Sequence, residues 1–175
     1  MSGKTLVAGV GNIFLGDDGF GSEVARRLMG SGLPDGVRVA DYGTSGMHLA
    51  YDLSSGYETA ILIDASPRGE PPGTVSVLDV DTPLARGDDP PEPPAHSLFD
   101  GHGMQPDVVL GMLGMLGGTA RRILVVCCEP ASVEYRMGLS EPVAAAVDEA
   151  VRIVTDLVCA QAGRPPAAAA RADEE

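Results

Sequence analysis

The sequence has no tryptophan, and phenylalanine and tyrosine together supply only 4% of its residues. An interior built around aromatic rings is therefore excluded, and the core must come from Val, Leu, Ile, Ala and Met. Basic residues are scarce as well. Twelve Lys and Arg stand against 25 Asp and Glu, a formal net charge of −13. A surface of that sign repels the phosphates of nucleic acid and of anionic lipid, so neither is expected as a partner. Neutral or cationic ligands fit better. Cysteines number three: Cys127 and Cys128 are adjacent, Cys159 is far away, and no pair has metal-site spacing. They read as small core residues of a protein from a reducing compartment. No apolar run is long enough to span a bilayer. Met1 to Thr5 leads directly into a strand-like run with no secretory leader, and the expected location is cytoplasmic.

What is present points to one folded domain. The chain has 175 residues, of which 44% are apolar, enough for a sizeable core and too short for two domains. Strand-length apolar runs alternate with helical periodicity. Leu6 to Val10 is a continuous apolar strand closed by Gly11-Asn12. From Gly19 to Met29 the pattern turns helical, with Phe20, Val24 and Leu28 on one stripe. A second strand, Val37 to Tyr42, leads through Gly43-Thr44-Ser45-Gly46 into a short helix ending near Leu53. The third, Thr59 to Ala65, is apolar on both faces and so central. The fourth, Thr74 to Val80, alternates like an edge strand. Only Ser66 to Gly73 separates it from the third, too little for a parallel crossover, so it must run antiparallel. Residues 82–101 make a long acidic, proline-rich loop of the kind that is usually functional or disordered. A helix from Pro106 to about Leu116, a fifth strand from Arg122 to Cys128 and a last helix from Glu141 to about Ala160 follow, the last capped by Ser140. The expected fold is α/β: a single three-layer α/β/α domain over residues 1–162, phosphorylase/hydrolase-like, with a mixed five-stranded, mostly parallel sheet and one antiparallel strand. Residues 163–175 form an Ala/Pro-rich tail, expected to fray.

Ligands bind open α/β sheets at the carboxyl ends of their parallel strands. Acids gather there: Asp17 and Asp18 after the first strand, Asp41 at the end of the second, Asp64 closing the third, Glu129 after the fifth. His102, between Gly101 and Gly103, precedes a helix that starts at the same edge. Carboxylates and an imidazole converging on one crevice suit a borderline divalent cation, and without one the carboxylates would repel each other and raise their pKa values. Blander roles compete. Asp17 suits an N-cap or turn, Asp41 can tie down the glycine turn that follows it, and Glu129 before Pro130 fits turn chemistry. Asp64 is the sharpest candidate, because an acid ending an apolar central strand needs a partner or a task. His48 and His96 look like surface or loop residues.

Several familiar devices are missing. Gly9-Val10-Gly11 lacks the third glycine of a dinucleotide site, having Phe14 there. Gly11 to Gly16 has P-loop spacing but continues Asp17-Asp18 where Lys-Ser/Thr is needed. Met47 replaces the closing glycine of a nucleophile elbow at Gly43 to Gly46. No His-Glu-x-x-His motif occurs, and no cysteine neighbours a plausible base.

The segment Gly9-Val10-Gly11-Asn12-Ile13-Phe14-Leu15-Gly16-Asp17-Asp18-Gly19-Phe20-Gly21 resembles the opening signature of the nickel–iron hydrogenase maturation endopeptidases. The likeness continues through Asp41 to Gly46, Ile63-Asp64-Ala65, His102 to Pro106 with Val109-Leu110, Glu129-Pro130 and Gly138-Leu139-Ser140, in the family's order. The resemblance implies a metal-contacting trio of Asp18, Asp64 and His102. Asp18 stands where some members carry glutamate. It also implies an aspartic-type endopeptidase in which Asp41, Asp18 and Asp64 are catalytic candidates, although Tyr42 replaces the usual glycine beside Asp41. The implied substrate and partner is the nickel-loaded precursor of a hydrogenase large subunit, cut once to release a C-terminal extension. Nickel would come with the substrate rather than stay bound, because three ligands from three loops suggest weak resting affinity. The 82–101 loop is a candidate precursor-gripping flap, and a monomer is the simplest expectation. Two other functions share the fold: a nickel-binding docking chaperone that cuts nothing, and a small-molecule hydrolase.

Overall fold

A computed structural model of the chain describes residues 3–80 and 120–163. The expected 82–101 loop, the 106–116 helix, His96, His102 and the tail beyond Gly163 lie outside the described residues.

Five strands form one sheet: β1 (Thr5–Val10), β2 (Val37–Gly43), β3 (Thr59–Ala65), β4 (Val75–Val80) and β5 (Arg122–Cys128), in the order β2-β1-β3-β5-β4. β1 pairs in parallel with β2 and β3, β3 in parallel with β5, and β4 antiparallel with β5. The central place of β3 and the antiparallel run of β4 are as the apolar pattern and the short connection require. Three helices cover the sheet among the described residues: α1 (Phe20–Leu28), α2 (Gly46–Leu53) and α3 (Glu141–Gln161). None of them is long and apolar enough to cross a membrane.

Strand alternation divides the core in two. Val7, Ile61, Ile63, Leu124, Val126 and Cys128 face α1 and α3, meeting Phe20, Val24, Leu28, Val143, Val147 and Val154. Leu6, Ala8, Val10, Leu62, Val125 and Cys127 face the other way, toward Tyr42, Leu49 and Leu53. Ile61 and Ile63 are fully buried, and truncating either to Ala would cost about 2–5 kcal/mol.

The start of α1 lies directly on the sheet backbone. A Cβ on Gly21 would stand 2.1 Å from the Ile63 carbonyl oxygen and 2.3 Å from that of Val10. A Cβ on Gly9 would stand 2.4 Å from the Gly21 carbonyl oxygen. Gly21 is thus required by close approach rather than by backbone freedom, and this contact sets the height of the preceding turn above the sheet.

Candidate functional site

Asp18 and Asp64 both lie at the carboxyl edge of the parallel strands, near enough for the charge of Asp18 to act on Asp64. Asp18 belongs to a 3-10 turn, Gly16–Gly19, between β1 and α1. Its Oδ2 accepts a 2.8 Å hydrogen bond from the Asn12 amide. Gly11 has φ +132°, and a Cβ there would sit 1.9 Å from the Asp18 carbonyl oxygen, so only glycine lets the strand end pass beneath the turn. Asp64 is half-buried near the end of β3, in register with Cys127 of β5. Burial, then the negative charge of Asp18, pushes its carboxyl up to about 8. Two carboxyls are therefore held close enough to repel, one of them protonated near neutral pH. A divalent cation between them would relieve that repulsion.

Asp41 lies on the opposite face of the sheet from Asp64. Gly9 is level with Asp41 on one side and Ile63 on the other, which puts the Asp41 side chain on the Ile63 face of the sheet, toward α1. There its Oδ1 accepts from the Ser22 hydroxyl at 2.7 Å and the Gly43 amide at 3.0 Å. Arg26 lies 3.9 Å from Oδ2. The tie to the glycine turn is real, and α1 shares the same carboxylate. Tyr42 points to the opposite face and is buried. Its hydroxyl donates to Asp52 at 2.6 Å, and its ring meets His48 edge-on at 5.3 Å. Arg38 comes within 3.4 Å of the same Asp52 carboxylate. Burial and the Asp52 carboxylate hold the tyrosine hydroxyl well above its ordinary range, so it stays a donor.

Asp17 is more than a cap. It is 1% exposed, and its carboxylate accepts from the amides of Ala131 (2.8 Å), Ser132 (3.1 Å) and Ser140 (2.6 Å) and from the Ser140 hydroxyl (2.8 Å). Burial alone would raise its pKa, but these bonds together bring it below the usual carboxylate range. Ser140 does precede α3, but its hydroxyl donates to Asp17 and makes no capping bond. The two loops are also zipped by backbone bonds: Gly16 N–H to Arg136 O at 2.7 Å, Arg136 N–H to Phe14 O at 2.9 Å, and Asp17 N–H to Ser132 O at 3.1 Å. Four apolar side chains stand exposed on this pair of loops: Phe14, Val133, Tyr135 and Met137. Nothing in the sequence pattern near Asp17 could have found donors more than a hundred residues away.

Glu129 is buried and accepts from the Arg68 amide at 2.6 Å, which anchors the β3–β4 loop and bears out the turn role. Cys127 and Cys128 are core residues. Burial raises both thiols, Cys128 to about 12, so neither is poised as a thiolate nucleophile. Among the described residues no three His, Cys, Asp or Glu side chains converge as a metal site. The third expected ligand, His102, lies outside them.

Comparison with known proteins yields a consistent set of likenesses. Residues 22–157 match the sequence model of a family described as hydrogenase maturation protease. The hydrogenase 2 maturation protease of Escherichia coli K12 is 30% identical over 152 residues, covering 86% of this chain and 88% of that protein. Among solved structures, a hydrogenase 2 maturation peptidase from a Thaumarchaeota archaeon aligns with a TM-score of 0.67 at 32% identity. It covers 89% of this chain and 97% of that one. The hydrogenase maturating endopeptidase HybD from E. coli aligns with a TM-score of 0.68 at 27% identity, covering 91% and 94%.

Proposed function

The chain belongs to the hydrogenase maturation protease family, and on that premise we propose that it removes the C-terminal extension from a nickel-loaded hydrogenase large-subunit precursor. The observation that carries this reading is the pairing of Asp18 with Asp64, whose carboxyl is pushed up to about 8. An arrangement that resists ionisation when empty is one that gains most from a cation. In this reading nickel arrives as part of the substrate. Asp64 gives up its proton as the metal enters, Asp18 supplies the second carboxylate, and His102 supplies a nitrogen ligand suited to Ni²⁺. A precursor without nickel brings nothing to offset the carboxylate repulsion and binds poorly.

Cleavage then needs an activated water beside the scissile bond. The nickel charge lowers the pKa of nearby water. Asp41 is placed less well for that task, because its carboxylate faces α1 and is already engaged by Ser22 and Gly43. Its part is to hold the corner between β2 and α1. A protein substrate is supported by the exposed Phe14, Val133, Tyr135 and Met137 on the loops that carry and brace Asp18, since aromatic and methionine side chains are favoured at interface centres.

Intact mass spectrometry of the precursor, loaded or free of nickel, tests the reading. Loss of one C-terminal peptide from the loaded form alone, abolished by Asp64→Ala, is the expected result. A loaded precursor that binds without losing mass would replace the protease reading with that of a docking module.

A further inference from the structure

We propose that Asp17 is the positioning residue of this site, fixing the turn that presents Asp18 by clamping it to the loop between β5 and α3. The inference rests on the metal-reading role given to Asp18 above. Both oxygens of Asp17 are spent on Ala131, Ser132 and Ser140, so its part is to position rather than to react.

The 3-10 turn has only short-range bonds of its own, among them Asp18 N–H to Leu15 O and the Asn12 amide to Asp18 Oδ2. It is four residues long and follows Leu15, which provides no side-chain cap, and such short turns have weak internal hydrogen bonding. The 131–140 loop adds a second, long-range set of bonds to the turn. Gly16 and Asp17 donate their amides to carbonyls of Arg136 and Ser132, and the Asp17 carboxylate takes four donors in return. Three of those donors converge on Oδ2: the amides of Ala131 and Ser132 and the hydroxyl of Ser140. Ser140 also precedes the 21-residue helix α3, whose positive end favours an anion there. Hydrogen bonds to a charged acceptor are about twice as strong as neutral ones. One buried side chain thus joins the strand-one loop, the strand-five loop and the start of α3.

Gly16 shows how tight the joint is. At φ +57° it already takes a conformation that favours glycine, and an added Cβ would meet the Ser132 carbonyl oxygen at 3.0 Å. The backbone on the other side of Asp18 is equally confined by Gly11. Asp18 is therefore gripped from below by the strand end and from the side by the Asp17 clamp. Its carboxylate also accepts a hydrogen bond from the Asn12 amide.

Asp17→Asn removes the charge and turns one acceptor atom into a donor, which must face either the single Ser140 amide or the three donors on the other side. Three quantities are read on the purified full chain: kcat and KM with nickel-loaded precursor, Ni²⁺ affinity of the protein alone by calorimetry, and thermal unfolding. Expected at a temperature where the variant remains folded are a fall in kcat of at least thirtyfold, KM within threefold, and Ni²⁺ affinity down at least tenfold. A folded Asp17→Asn with wild-type kcat and Ni²⁺ affinity, differing only in its melting temperature, overturns the proposal. If Asp17→Asn does not fold, Ser140→Ala decides, since it deletes one hydroxyl donor and leaves the Ser140 amide. It should lower kcat and Ni²⁺ affinity about threefold each, and no change in either rejects the clamp. Wild-type protein that binds Ni²⁺ but cleaves nothing sinks the protease reading alone, because the affinity comparison still judges Asp17. Wild-type protein that does neither removes both.

Discussion

Asp41 and Asp64 leave the sheet on opposite faces. Asp41 is level with Ile63 across β1 and turns toward Ser22 of α1. Asp64, one residue beyond Ile63, turns toward the face lined by Leu62, Val125 and Cys127. Two acids that end neighbouring segments of the chain are thereby split between the α1 face and the opposite face of the sheet.

The split predicts that their amides behave differently. Asp41→Asn keeps an oxygen for the Ser22 and Gly43 donors, and cleavage of the nickel-loaded precursor should stay within tenfold of wild type in kcat. Asp64→Asn should leave no measurable cleavage. A loss of about 10²–10⁴-fold at Asp41→Asn is what removal of a general base produces, and finding it would return Asp41 to the catalytic group.

Asp64 also gives stability a pH dependence of definite sign. Its carboxyl titrates near 8 in the fold and near 4 in the unfolded chain. The native state therefore holds the proton more tightly, and stability falls as pH rises through that window. The full shift corresponds to about 5 kcal/mol, and solvent relaxation around a half-buried group leaves on the order of 2. Relative to wild type, Asp64→Asn should gain melting temperature from pH 5 to pH 9. Parallel melting curves for the two proteins across that range would show that Asp64 is not strained.

Ni²⁺ should act in the same direction as that substitution. Added at pH 8, it should raise the melting temperature of wild type and leave Asp64→Ala unmoved, since a ligand that binds only the folded state stabilises it. At pH 5 the effect should shrink, because protons compete for the carboxylates. An equal shift in both proteins at pH 8 would place the metal elsewhere.

The apolar side chains around the site should matter for binding and not for chemistry. Tyr135→Ser combined with Met137→Ser removes two exposed groups, 88% and 63% accessible, with no core contact to lose. KM for the precursor should rise about tenfold, equivalent to about 1.4 kcal/mol, while kcat and melting temperature hold. Unchanged KM would mean that the precursor approaches from another side.

Gly21→Ala tests the floor of the site. Its methyl group would fall 2.1 Å from a β3 carbonyl oxygen, and backbone on both sides leaves α1 no option but to lift. A destabilisation of about 3 kcal/mol is expected, read by denaturant unfolding. A change below 1 kcal/mol would show that α1 is loosely seated.

Much of this was legible in the linear sequence, because periodicity is a local property. The run Thr59 to Ala65 has no polar face, so it had to be central, and the short Ser66–Gly73 connection had to return antiparallel. Asp64 was conspicuous for the same reason, as the single acid of an apolar strand. Two things were decided only by tertiary structure. The face on which Asp41 lies depends on its register against β1, where a shift of one residue reverses every side chain, and no local pattern records that register. Asp17 had the look of an ordinary turn residue, since its four donors arrive from positions 131–140. Its role exists only once the sheet has brought the ends of β1 and β5 to the same edge.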